Sequence, residues 1–282
     1  MINNIENATQ LIKNTNIPLT RKNRAIFYLR NLNSPRAAQA LQECITNRSV
    51  LLDHEIAYVL GQMKQEISIS FLLDLAGNEQ TDPIVRHEAI EALGNFEKEE
   101  LVEKIEKFLE CEIDIIRESA ELAIEKLKQK ENPLSKFNSR DPANPSRESN
   151  LEKLQEMLLK GTLIEKYEAM FKLRDLNTVE SVKVLSKGFS DNSQLLKHEI
   201  AYVFGQMENK AAIDSLEKVL SNEEEGEIVR HEAAESLGSI GGERSKEILE
   251  RHKDSTVQIV RESCEVGLTL IEMEDEKYLT LE

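Results

Sequence analysis

The chain has 282 residues, enough for two domains of ordinary size that each bury a hydrophobic core. It contains 11 Gly, 6 Pro and no Trp, and its many Leu, Ile, Ala, Glu and Lys residues favour helices over strands. A net charge of −16 disfavours nucleic acid and anionic membranes as partners, and it favours cations and basic peptides.

The sequence also gives no indication of a membrane span, a signal peptide or a disulfide framework. No apolar run approaches the ~20 residues that span a bilayer, and the amino-terminal segment MINNIENATQ lacks the apolar region of a signal peptide. Cys44, Cys111 and Cys264 are odd in number and too scattered for a disulfide framework. We therefore expect a soluble, cytoplasmic protein with neither a membrane nor a nucleic-acid partner.

In chain order, the first half contains four pairs of amphipathic helices, with apolar residues at i, i+3, i+4 and i+7. Asp82-Pro83 marks one helix start clearly, because an N-cap residue precedes proline at the first helical position. Residues 131–149 hold three of the six prolines without helical periodicity, which predicts a linker. The predicted helix pairs are 4–15 with 18–32, 35–46 with 49–62, 66–77 with 82–95, and 97–109 with 113–129.

The second half of the chain is a copy of the first. HEIAYVLGQM (54–63) recurs as HEIAYVFGQM (198–207), and IVRHEAIEALG (84–94) recurs as IVRHEAAESLG (228–238), both at an offset of 144 residues. Helix pairs of about 30–33 residues stack into solenoids. We predict an all-α fold, an α-solenoid of eight HEAT-like helical-hairpin repeats in two pseudo-symmetric halves. The predicted domains are the N-terminal half 1–130, the linker 131–149 and the C-terminal half 150–282.

Four of the five histidines are each followed by glutamate, and all four pairs lie in the middle repeats of the two halves. The helix scaffold does not itself require histidine there, because the outer repeats carry arginine or glutamate at the aligned positions. Solvated polar residues would explain one such pair but explain four in register poorly. The pairs are His54-Glu55, His87-Glu88, His198-Glu199 and His231-Glu232, and the aligned outer residues are Arg24, Glu118, Glu168 and Glu262.

This combination of residues suits a metal ion. Two imidazoles and one carboxylate form the ligand set of non-haem iron and leave positions open for dioxygen. Neighbouring helices lie about 8–10 Å apart, so equivalent side chains of successive repeats can converge on one ion. Each half would supply one ion. Residue type alone does not separate iron from Zn²⁺ or Mn²⁺, and spacing does not decide which glutamate of each pair is the ligand.

Further candidate residues lie on the histidine face of the same helices, at i+4 and i+7. The two tyrosines suit interhelical packing or substrate contact, and the two glutamates at i+4 suit acceptors for imidazole N–H, an acidic rim for a cationic substrate, or plain solvated surface. The glycines at i+7 suit helix C-caps, or a bare strip along which a substrate approaches. These residues are Tyr58, Tyr202, Glu91, Glu235, Gly61, Gly94, Gly205 and Gly238.

Taken together, the strings HEIAYVLGQM and VRHEA and the four His-Glu pairs resemble the deoxyhypusine hydroxylase family over essentially the whole chain. The resemblance implies a diiron monooxygenase that uses two Fe²⁺ ions and O₂ to hydroxylate the deoxyhypusine side chain of translation initiation factor 5A. The electron donor is not implied. By this resemblance one iron is held by His54, His87 and Glu88, the other by His198, His231 and Glu232, and Glu55 and Glu199 orient the substrate.

Two other classes of function share parts of this pattern. A purely binding HEAT scaffold would have the solenoid and the acidity, but no reason to confine His-Glu pairs to the middle repeats. A bilin lyase with related helical repeats would need no fourfold ligand set. The sequence therefore favours the hydroxylase.

Overall fold

The computed structural model describes residues 2–129, 135–137 and 141–272. All regular structure within them is helical, and the chain divides into two compact units, the first ending at Lys128 and the second spanning Gln129–Glu272. Residues 131–134 and 138–140 of the predicted linker, and 273–282 of the predicted C-terminal half, lie outside the described residues. Across the described ranges, no helix is both long and apolar enough to cross a membrane.

The first unit consists of four helical hairpins, as the periodicity predicts. The helices begin and end within a few residues of the predicted bounds, and a short 3-10 turn at Lys107–Glu110 continues the seventh helix. The hairpins are α1 (Ile2–Lys13) with α2 (Leu19–Leu32), α3 (Pro35–Gln42) with α4 (Val50–Met63), α5 (Ser68–Gly77) with α6 (Pro83–Gly94), and α7 (Leu101–Glu106) with α8 (Asp114–Lys128).

The second unit repeats this plan with four more hairpins, which confirms the predicted all-α repeat fold. Short 3-10 turns lie at Lys187–Ser190 and Lys210–Ala212. The hairpins are α9 (Leu151–Lys160) with α10 (Leu163–Leu176), α11 (Val179–Ser186) with α12 (Gln194–Met207), α13 (Ile213–Ser221) with α14 (Glu227–Ile240), and α15 (Gly242–His252) with α16 (Gln258–Glu272).

Each unit has two layers of helices. The second helices of the hairpins stack in the order α2, α4, α6, α8 in one unit and α10, α12, α14, α16 in the other. The two middle inner helices of each unit are the most buried, and α4 alone buries eleven of its residues, including Leu51, Ile56 and Leu60. The His-Glu pairs lie on such helices, so the layered core itself positions them.

Local signals begin and end the helices where the sequence predicts. Asp82 accepts a hydrogen bond from the Ile84 amide, and Pro83 takes the first helical position, as predicted. Four inner helices end instead at residues with left-handed φ, a conformation that satisfies the last carbonyl groups. These residues are Asn33, Lys64, Asn177 and Glu208.

The glycines seven residues after each histidine are not C-caps, so that interpretation is wrong. Gly61 and Gly205 are each the third residue from the end of their helix and therefore lie inside it. A Cβ built on Gly61 would lie 2.7 Å from the Ala92 Cα, and one on Gly238 would lie 2.5 Å from the Gly267 Cα. Glycine is needed at these positions because the inner helices of successive repeats approach too closely for a side chain.

We expect Gly61→Ala to lower the free energy of unfolding by about 2 kcal/mol or more, because overpacking against backbone costs about 1–3 kcal/mol. Gly77→Ala is the matched control, since its Cβ would approach nothing closer than the Lys107 Nζ at 3.8 Å. The control should be neutral or stabilising by up to about 1 kcal/mol. Urea unfolding measures both variants, and equal midpoints would contradict the close-approach explanation.

The segment before the second unit packs against that unit. The Arg174 guanidinium is fully buried and donates to both carboxylate oxygens of Asp141, at 3.0 and 2.6 Å. It lies over the rings of Phe137 and Phe171 at 4.8 and 4.7 Å, and the Ser146 amide donates to the Glu168 carbonyl at 2.9 Å. Residues of the predicted linker thus contribute to the packing of the second unit, through a buried ion pair that is costly to break.

Candidate metal centre

Each unit presents two His-Glu pairs on adjacent inner helices. In the first unit His54 lies on α4 and His87 on α6, one repeat further along the chain. Both imidazoles are buried, with 5% and 0% of their surface exposed. The buried Arg86, next to His87, helps to fix α6 against α5, because its side chain donates to the Ala76 carbonyl near the end of α5. The polar groups of the site therefore sit on a rigid, packed layer.

In the first unit, His54, His87 and Glu88 converge. The His54 Nε2 lies 3.3 Å from the Glu88 Oε2, and the two imidazole centroids are 5.6 Å apart. Each residue offers one ligand atom, and the three atoms lie within 4.8 Å of one another. Two imidazoles and a carboxylate at this separation can bind one divalent transition-metal ion.

The second unit repeats this geometry. The His198 Nε2 lies 3.4 Å from the Glu232 Oε2, and the centroids of His198 and His231 are 5.5 Å apart. Glu232 is buried to the same degree as Glu88, at 7% and 6% exposure. The duplication has therefore preserved the distances between these side chains as well as their identities.

The other glutamate of each first pair lies on the opposite side of the imidazole. The Glu55 Oε1 is 3.9 Å from the His54 Nδ1, and the Glu199 Oε1 is 3.4 Å from the His198 Nδ1. Glu88 and Glu232, by contrast, face the Nε2 atoms. The structure thus distinguishes two kinds of carboxylate in each unit, one on each side of the first histidine.

Burial alone would lower the pKa of His198, but the hydrogen bonds that its imidazolium donates to Glu199 and Glu232 outweigh burial and hold that pKa well above its ordinary value. In the metal-free protein His198 therefore keeps its proton to higher pH, and a metal ion must displace that proton. We expect metal affinity in the second unit to rise with pH until His198 is neutral.

Zn²⁺ titrations of the metal-free protein at a series of pH values would measure this effect. Glu199→Gln removes one of the two carboxylates that raise the pKa of His198, so in that variant affinity should level off at a lower pH. An affinity that stays constant from about pH 6 to about pH 9 would contradict competition between proton and metal.

A further layer surrounds the second histidine of each unit. The Glu91 Oε1 lies 3.5 Å from the His87 Nδ1, and the Glu235 Oε1 lies 3.8 Å from the His231 Nδ1. Each glutamate also accepts a hydrogen bond from a buried serine on the last inner helix of its unit. These serines, Ser119 and Ser263, were not among the predicted site residues; the only signal was the repeated string Arg-Glu-Ser in the fourth repeats.

The remaining predicted residues lie nearby on the same helices. Tyr58 and Tyr202 are partly buried, and Tyr58 packs against the core of the first unit. Gly61 and Gly205 are buried against Ala92 and Ser236 of the following inner helix. The glycines thus serve helix packing, and the role of the tyrosines toward a substrate stays a prediction.

Known proteins share this architecture and its sequence. A profile of HEAT repeats matches residues 51–125 and 182–269. A deoxyhypusine hydroxylase from Danio rerio is 39% identical over 279 residues, covering 94% of this chain and 90% of that protein. One from Candida albicans is 40% identical, with 95% and 91% covered. The chain belongs to the deoxyhypusine hydroxylase family. Membership makes it an enzyme and excludes both a pure binding scaffold and a bilin lyase.

One solved structure agrees with this assignment to the deoxyhypusine hydroxylase family. Human deoxyhypusine hydroxylase, solved in complex with glycerol, superposes with a TM-score of 0.92 at 35% identity, and 96% of each chain is covered. The repeat fold and its helix order are therefore those of the family.

Proposed function

We propose that this protein hydroxylates the deoxyhypusine side chain of translation initiation factor 5A, with O₂ as co-substrate and two Fe²⁺ ions as cofactors. The observation that carries the proposal is the convergence of two imidazoles and a carboxylate, repeated in both units of a deoxyhypusine hydroxylase family member. In a monooxygenase reaction one oxygen atom enters a C–H bond, and the other leaves as water with two electrons from a reductant.

The residues present fit iron. His54, His87 and Glu88 would hold one ion, and His198, His231 and Glu232 the other, each set combining nitrogen and oxygen donors without a thiolate. The two ions would act together as one diiron centre. Iron bound there supplies the activation of dioxygen, while the protein supplies position, charge and exclusion of water.

Glu55 and Glu199 would orient the substrate. A carboxylate has two oxygens, so one can accept from the adjacent histidine Nδ1 while the other accepts from an ammonium group of the substrate arm. Holding the arm in this way places its methylene groups within reach of the oxidant. Tyr58 and Tyr202, four residues after the two histidines, would line the approach on the same helix face.

The charge and redox state of the chain support the proposed partner and place. The net charge of −16 favours encounter with a basic protein segment. Cys44, Cys111 and Cys264 are all free thiols, and burial raises the pKa of Cys44 to about 11 and that of Cys264 to about 12. Cysteines that form no disulfide suit the reducing cytoplasm, where we propose that the reaction takes place.

Turnover of the defined substrate tests the proposal. The iron-loaded protein, a reductant and O₂ should add the mass of one oxygen atom to deoxyhypusine-bearing initiation factor, and ¹⁸O₂ should label the product. Initiation factor that carries unmodified lysine is the matched control and should gain nothing. Failure to modify the deoxyhypusine factor with iron bound in both units would overturn the proposed reaction.

A further inference from the structure

The fourth repeat of each unit contributes a serine to the candidate site, although it carries no His-Glu pair. Within the repeat, Ser119 occupies the position that Glu88 occupies one repeat earlier, since VRHEA (85–89) aligns with IRESA (116–120). Ser119 lies on α8, which packs directly against α6. Its side chain has no exposed surface, so its hydroxyl group acts entirely within the protein.

In the first unit, this serine reaches the carboxylate beside the second histidine. The Ser119 Oγ donates to the Glu91 Oε1 at 3.0 Å. That same oxygen lies 3.5 Å from the His87 Nδ1. Because the serine comes from the next helix and the glutamate from the histidine's own helix, the chain Ser119–Glu91–His87 links two repeats.

The second unit contains the same arrangement at equivalent residues. The Ser263 Oγ donates to the Glu235 Oε1 at 2.9 Å. The Ser263 Oγ also lies 3.5 Å from the His231 Nδ1. Ser263 is also fully buried. A hydroxyl retained without exposure in both copies indicates a role for its hydrogen bond, since an alanine would fill the same space without burying a polar group.

From this geometry we infer that Ser119 and Ser263 are positioning residues for the metal centre. Each serine orients a glutamate beside the second histidine. In the first unit Glu91 accepts the Nδ1–H of His87, and in the second unit the Ser263 Oγ, which lies nearer than Glu235, accepts the Nδ1–H of His231. Either acceptor leaves that histidine's Nε2 to face the metal. An acceptor at Nδ1 selects the tautomer, sets the ring orientation and makes the imidazole a stronger ligand. The inference rests on the proposed metal centre and adds the fourth repeat of each unit to it.

The test uses the full-length protein with Zn²⁺, a diamagnetic ion that needs no turnover. Ser119→Ala and Ser263→Ala should weaken Zn²⁺ binding in the altered unit about tenfold, and Glu91→Ala or Glu235→Ala up to about 100-fold. Glu91→Gln, which keeps an acceptor oxygen, should recover part of the loss. Ser245→Ala, at another fully buried serine on α15, is the matched control and should bind Zn²⁺ like the wild type.

A second readout reports the histidine directly. With five histidines in the chain, ¹⁵N-resolved imidazole spectra are sparse. His252 is an internal reference, because its Nδ1 lies 2.8 Å from the Ile248 carbonyl, which can only accept. In the zinc-loaded wild type, the Nδ1–H of His87 and His231 should exchange slowly with solvent, and in the serine variants it should exchange faster.

The possible results separate the two levels of the inference. Wild-type Zn²⁺ binding together with unchanged affinity and unchanged Nδ1–H exchange in both serine variants would overturn the role of the serines alone. Absence of Zn²⁺ binding at the histidines of the wild type would overturn the metal centre and the role of the serines with it. Weaker binding with faster exchange, and an unaffected Ser245→Ala control, is the result we expect.

Discussion

Replacing Glu88 or Glu232 with alanine should remove the metal from the altered unit, so that iron falls from about two ions per chain to about one. These carboxylates lie 3.3 and 3.4 Å from the Nε2 atoms of His54 and His198, on the side where the second histidine of each unit also converges. Loss of one of three protein ligands leaves too few donors to hold the ion against a chelator.

The matched variants are Glu55→Ala and Glu199→Ala, which remove the carboxylate on the Nδ1 side of the same histidines. These variants should keep most of their iron but bind or convert the deoxyhypusine substrate poorly. Iron content and substrate affinity measured side by side on the four proteins decide between the roles. Metal loss in Glu55→Ala with metal retained in Glu88→Ala would reverse the assignment.

Removing one ion should abolish turnover even though the other unit keeps its own. His87→Ala deletes a fully buried imidazole from the first unit and should reduce turnover by about 10³-fold or more, because in the proposed reaction the metal would carry the oxidative step. The ligand set of His198, His231 and Glu232 is untouched by this change. Half of the wild-type activity in His87→Ala would show that each unit works alone and would contradict a shared diiron centre.

Metal analysis, turnover and helicity measured on His87→Ala and His231→Ala would distinguish loss of an ion from loss of the fold. His252→Ala is the control for histidine removal. His252 lies at the end of α15, where its imidazole is within hydrogen-bond distance of the Ser221 hydroxyl and the Ile248 carbonyl and not beside another histidine. The control should retain both ions and full turnover. A large loss of activity in this control would weaken any conclusion drawn from the other two variants.

Local signals explain why so much of the fold follows from the sequence. Each hairpin has its own periodic spacing of apolar residues. Helix starts such as Asp82-Pro83 depend only on adjacent residues, because the Asp82 side chain caps the helix and the Pro83 ring fits its first position. Repetition then places equivalent residues on adjacent inner helices without further information. This is why His54 and His87 lie close together, while Glu88, which lies with them, was singled out only by the family resemblance.

Other features depend on contacts between repeats that no local pattern contains. The spacing of Gly61 suggests a C-cap, yet glycine is required there because the Ala92 backbone, one repeat later, leaves no room for a side chain. Ser119 lies 28 residues from the glutamate it contacts, in a repeat that lacks the His-Glu signature. Asp141 falls in a proline-rich segment, and nothing local to it predicts the buried Arg174 that it binds.

Metal content compared with activity tests the central claim most directly. Protein purified without chelator should contain about two irons per chain, and its turnover of deoxyhypusine should fall to background when a chelator strips them and return on addition of Fe²⁺. Reloading with Zn²⁺ should fill the same sites without restoring turnover. Stoichiometric zinc in the purified protein, with turnover that iron does not support, would contradict the account.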